Sequence, residues 1–139
     1  MDFAGLNYLA VVVAAVASFV FGAVWYGSLG KPWMDAVGKT EEEIKSSGQP
    51  LPVLMAITIV AQLVMAWVLA GLIGHLGKGH VTILNGLTSG AFVWLGFVAT
   101  TLIVNHGYQG ARWKLTLIDG GHWLIVLMIQ GAVIGYLGV

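Results

Sequence analysis

The chain has 139 residues, of which 58% are hydrophobic and 9% charged, with a formal net charge of zero and no cysteine. A soluble domain carries about 25% charged residues, so composition already points to a bilayer. Zero net charge gives nucleic acid no bulk attraction, and the lack of cysteine removes disulfides, thiolate metal sites and a thiol nucleophile.

Four apolar runs lie at about residues 7–30, 51–76, 81–104 and 115–139. Each reaches the roughly 20 residues that a helix needs to cross about 30 Å of hydrocarbon. The expected fold is an all-α membrane protein, a single four-transmembrane-helix antiparallel bundle over residues 1–139, with a short polar, amphipathic segment between helices 1 and 2. Met1-Asp2-Phe3 is no basic n-region and the first run is too long for a signal h-region, so it is expected to be a retained span. Lys31, Lys39, Lys45, Arg112 and Lys114 fall on one side of the bundle and Lys78 on the other. Basic residues near span ends favour the cytoplasm, which puts both termini outside it.

In span one, Ala10, Ala14, Ser18 and Gly22 recur every fourth residue and share one face. Lipid provides no hydrophobic drive between helices, so small residues that let backbones approach are expected to form a helix seam; a narrow pore lining is the alternative. Trp25 and Tyr26 close the span, and Trp33 follows the break at Lys31-Pro32. With Trp113 they are expected as anchors at the membrane–water interface. Residues 35–48 are strongly polar, and Thr40-Glu41-Glu42-Glu43 has the pattern of a capping box. Trp33, Val37, Thr40 and Ile44 share a helical face, which fits either a short helix resting on the bilayer or a solvated connector.

Leu51 precedes a proline and is biased away from helix, so span two is expected to begin at Pro52, where the missing N–H costs nothing. Gln62 lies inside it. A Gly-rich turn at 75–80 makes spans two and three an antiparallel hairpin; its two histidines, His75 and His80, are either a weak metal pair or simply exposed. Span three carries Gly86 and Gly90 as another small-residue pair, then Asn105-His106-Gly107 at its end. Span four holds Asp119, the only acidic residue in an apolar run, then Gly120-Gly121-His122, Gln130, Gly131 and Gly135.

An ionisable residue in a span costs about 2.5–3.5 kcal/mol on insertion scales and is a functional candidate by default. One reading makes Asp119 a cap or packing residue, with the helix starting at Gly120 and the carboxylate satisfying its free N–H groups. The other gathers Asp119 and His122 with Asn105 and His106, since the short third connection puts them on one membrane side. One carboxylate and two imidazoles could then take a proton or a divalent ion. Gln62 and Gln130 add polar groups to the apolar spans. No phosphate loop, nucleophile elbow or metalloprotease motif occurs, so no enzyme, cofactor or resident metal is expected.

Asn7 before the first span, Gly22-Ala23-Val24-Trp25-Tyr26, Leu29-Gly30-Lys31 with Trp33-Met34, Trp94-Leu95-Gly96-Phe97 and Ile118-Asp119-Gly120-Gly121 occur in this order. In these landmarks the chain resembles the domain of unknown function (DUF) 1761 family of small bacterial four-span membrane proteins. The resemblance implies a bacterial inner-membrane setting and supplies no activity. The family has Asn, then Gly-Tyr, where this chain has Asp119, then Gly121-His122, so no role is carried over from that Asn or Tyr. The leading expectation is a transporter or channel for an ion or small solute. The alternative is a non-catalytic membrane protein that binds or stabilises a partner protein or lipid. Expected partners are membrane lipid, an ion or small solute, and a second copy in a homo-oligomer, most simply a dimer; nucleic acid is not among them.

Overall fold

The computed structural model describes residues 3–139, apart from the side chain of Ala4. Met1 and Asp2, which entered the reading of span one as retained, lie outside the described residues. Six helices account for the fold, and no strand occurs among the described residues. They are α1 (Tyr8–Ser28), α2 (Gly30–Val37), α3 (Glu41–Ser46), α4 (Leu51–Gly74), α5 (Ile83–Tyr108) and α6 (Trp113–Leu137). The four long ones, α1, α4, α5 and α6, are apolar enough to cross a membrane and pack as an antiparallel bundle. The protein is a membrane protein.

Each boundary has a local cause. Asn7 Oδ1 accepts from the Ala10 N–H at 3.2 Å and so caps α1, while its Nδ2 donates to Leu137 O at 3.1 Å. One residue thereby starts the first span and ties it to the end of the last. The chain bends at Leu29, and Pro32 sits in the first turn of α2, where no helical hydrogen bond is lost. Gly38, at φ +77°, ends α2 in the left-handed conformation. The face expected to join Trp33, Val37, Thr40 and Ile44 is therefore cut in two. The capping box of α3 is present, with Thr40 Oγ1 accepting from Glu43 N and Glu43 Oε2 accepting from Thr40 N. α4 begins at Leu51, one residue before the expected Pro52.

α6 is the central helix and touches α1, α2, α4 and α5. Ala10, Ala14, Ser18 and Gly22 of α1 are all buried. Leu69, Ile73, Val126, Leu127 and Ile134 fill the space beside them. Gly86 and Gly90 of α5 press on α6 at Gly131 and Leu127, and Gly135 of α6 presses on Thr82. A Cβ on Gly86 or Gly131 would overlap the other's carbonyl group, so these glycines set how close the two backbones come. The glycine and alanine seams are thus filled within one chain. From Trp94 to Ala99, α5 is π-helical, and its remaining turns pack more loosely on α6. Nothing in the apolar pattern foretold this wide turn.

Candidate functional site

α1 and α6 run antiparallel, and their shared seam brings polar side chains from distant parts of the chain together at two depths. The deeper group is Ser18 of α1, Gln62 of α4 and Gln130 of α6, all 0–1% exposed. Ser18 Oγ lies 2.6 Å from Gln62 Oε1, Gln130 Nε2 donates to Ser18 Oγ at 3.0 Å and to Gln62 O at 3.2 Å, and Gln130 Oε1 has no partner. A trio of this kind joins three spans by hydrogen bonds where no water competes.

About two helical turns from Gln130, toward the connections at 29–50 and 109–112, lies the ionisable group. Tyr26 donates its hydroxyl to Asp119 Oδ1 at 2.7 Å. His122, 4% exposed, is enclosed by aromatic rings: Trp123 at 4.6 Å, Tyr26 at 4.9 Å and Phe21 at 6.1 Å between centroids. Gly22 makes room for it, because a Cβ there would come within 2.9 Å of His122 Nε2. His122 Nδ1 is buried and has no hydrogen-bond partner among the described residues. Among the described residues no cation pairs with Asp119.

Two indoles fix the backbone around this group. Trp25 Nε1 donates to Ile118 O at 3.2 Å from one side, and Trp94 Nε1 donates to Gly120 O at 2.8 Å from the other. Trp25 and Tyr26, expected as interface anchors, turn inward to α6. Trp33 packs edge-on to Tyr26, and Trp113 is 68% exposed.

The capping reading of Asp119 is corrected. α6 starts at Trp113 with Arg112 as N-cap, so Asp119 lies well inside the helix. The chain reverses at Gly110 (φ +68°), and charged Lys114 is tolerated in the first turn because it reaches Asp35 of α2. Gly120 and Gly121 are packing positions against Leu102 and Trp25, not helix breakers. The four residues gathered by the sharper reading are also separated. Asp119 and His122 lie together, but His106 shares a 2.8 Å hydrogen bond with Thr116, and Asn105 is exposed. No group of three His, Cys, Asp or Glu able to hold a metal ion occurs among the described residues.

At the loop end of α6, Lys114 Nζ lies 2.7 Å from Asp35 Oδ2 and Arg112 donates to Asp35 O at 2.8 Å. The Lys114 ammonium, and more weakly the Arg112 guanidinium, hold the Asp35 carboxyl below its ordinary value. Sequence reasoning missed Tyr26 as the partner of Asp119 and Ser18 as the partner of both glutamines. A hydroxyl in an otherwise Ala/Gly stripe was the one available hint for Ser18.

The profile of the family described as "Protein of unknown function (DUF1761)" matches residues 9–135. The chain belongs to this family. No curated protein and no solved structure matches it. Within the DUF1761 match lie the second and third spans, all but the outermost residues of the first and fourth, the Ser18–Gln62–Gln130 trio and the Tyr26–Asp119–His122 group.

Proposed function

We propose that this DUF1761 protein is a transporter or channel unit that handles protons or small cations, with Asp119, His122 and Tyr26 as its ionisable site. The observation that carries this reading is the buried, unpartnered Nδ1 of His122 beside a carboxylate that has a tyrosine but no cation. An unsatisfied buried polar atom costs about 1–3 kcal/mol, and such atoms persist where a function uses them. A carboxylate and an imidazole one turn apart can share or pass a proton. The Ser18–Gln62–Gln130 trio continues the polar line along the same helix. Val126 and Leu127, both 0–2% exposed, close the interval between His122 and Gln130. Passage therefore needs α1 and α6 to part, which favours a gated carrier over an open pore. The bias of basic residues favours both termini outside the cytoplasm, and the resemblance to small bacterial membrane proteins favours a bacterial inner membrane.

The second reading, a non-catalytic protein that binds a partner or a second copy, draws on the outward face of α5, where Phe92 is 70% and Phe97 74% exposed. The two separate in reconstituted liposomes. Flux or binding of protons and of mono- and divalent cations is measured for the wild type, Asp119→Asn and His122→Phe. Wild-type activity that both variants lose supports the ionisable site. A wild type inert toward all of these ions, or full activity in both variants, overturns it and leaves the partner-binding reading.

A further inference from the structure

Beyond the spot where glycine holds α5 against α6, the looser packing that follows the π-helical turn leaves a lateral fissure between the two helices. It has a volume of about 260 Å³ and is lined chiefly by Trp94, Leu102, Trp113, Leu117 and Leu124. Along α6 it runs from Trp113 to Leu124, roughly 16 Å at the helical rise. That is the shape of one extended hydrocarbon chain rather than of a compact solute. Gly120 and Gly121 give it a floor free of bulky side chains.

Charge follows in sequence from Trp113, the lining residue at the loop end of the fissure. Arg112 immediately precedes Trp113, with its side chain 64% exposed. Arg112, Lys114 and Asp35 sum to one positive charge. The closest ion pair, at 2.7 Å, belongs to Lys114; Arg112 stands 4.0 Å from the Asp35 carboxylate. Arg112 uses one N–H on the Asp35 backbone carbonyl, and its other guanidinium donors, which bond no described residue, can grip an anion in a fork. Beside it, α6 has no side-chain cap at its N-terminus. Trp113 exposes its indole at the same level, as a ring placed among headgroups does.

We propose that this fissure binds an anionic phospholipid, with one acyl chain lying along α6 and the phosphate on Arg112. The two features are complementary to the two parts of that molecule: an apolar slot for the chain and, adjoining Trp113 at its loop end, a net positive charge. A zwitterionic lipid fills the slot equally well but carries no net charge for Arg112 to select. Basic residues near a membrane surface add about 1 kcal/mol each toward anionic lipid, so one arginine gives about fivefold selectivity.

Native mass spectrometry of the detergent-purified protein tests this, with phosphatidylglycerol and phosphatidylcholine of identical acyl chains offered in competition. The expected result is about fivefold retention of phosphatidylglycerol over phosphatidylcholine, lost in Arg112→Gln. Leu117→Trp, which stays apolar at a position 73% exposed toward the bilayer and so keeps the fold, narrows the slot and lowers retention of both lipids. Asp35→Asn, which frees the cations, keeps or raises the preference. Equal retention of the two lipids, or a preference unchanged in Arg112→Gln, overturns the proposal. So does inorganic phosphate alone raising the melting temperature as much as phosphatidylglycerol does, because the site is then one for free anions.

Discussion

The two halves of α6 are built on opposite principles. From Leu127 to Gly135 its contact with α5 is backbone on backbone, met through glycine, while Gln130 on another face ties it to Ser18 and Gln62. From Trp113 to His122 its neighbours are large side chains: two indoles on its carbonyls, Tyr26 on its carboxylate, and Tyr26 with Phe21 beside its imidazole. Backbone contact cannot yield, so the first half behaves as a weld. Side chains can move between rotamers, so the second half can take a small shift of α1 without loss of the fold, as the proposed site requires. Glycine serves both halves in different ways: Gly86 and Gly131 bring helices together, whereas Gly22 leaves a hollow that His122 fills.

The largest effects are expected at the glycines. Gly86→Leu and Gly131→Leu each force a side chain into a carbonyl group, and the expected cost is at or above the roughly 3 kcal/mol that overpacking reaches. Thermal unfolding in detergent should show a large drop or no folded protein. Gly22→Ala should cost less than about 1.5 kcal/mol, because His122 can move, yet it should disturb the ionisable site. Equal damage from Gly22→Ala and Gly131→Leu would remove the distinction between the halves.

The buried trio is the next target. Gln130→Ala removes two donated hydrogen bonds and strips a partner from Ser18 and from the Gln62 carbonyl, for an expected loss of about 1–3 kcal/mol by the same thermal assay. A smaller effect belongs to Asp119. Asp119→Asn keeps an acceptor for the Tyr26 hydroxyl and should hold stability within about 0.5 kcal/mol, whereas Asp119→Ala should lose about 1 kcal/mol. A large loss in Asp119→Asn would make the carboxylate a structural element and join the two halves in kind.

The weakest effect is at the loop end. The Asp35 carboxyl is held below its ordinary value of 3.8, chiefly by Lys114, so its contribution is present above that value and fades as pH falls through the lower folded value. The group is exposed and the pair is screened, so melting curves of wild type and Asp35→Asn should differ slightly near neutral pH and converge in acid. A difference that grows in acid would contradict the assignment.

The spans were legible because they depend on run length alone. They differ from expectation mainly where α5 continues through Asn105-His106-Gly107 to Tyr108, since a helix can carry polar residues once it leaves the hydrocarbon. The Thr40 capping box was legible because its partners are three residues apart. Tyr26 and Asp119 are 93 residues apart and Ser18 and Gln130 are 112 apart, so the residue types could be picked out but not the pairs. Asp119 was open to misreading as a cap because two glycines after a carboxylate look like a helix start. In this seam they are flat surfaces against Leu102 and Trp25.

The claim that the Trp113–His122 half is a working site, not a second weld, is tested most directly by infrared difference spectroscopy of the reconstituted protein between acid and alkaline pH. The expected result is a protonated-carboxyl band that rises reversibly on acidification while the protein stays folded, is absent in Asp119→Asn and shifts in Tyr26→Phe. A spectrum in which Asp119→Asn removes nothing from the wild-type difference, with both proteins folded across the range, would contradict it.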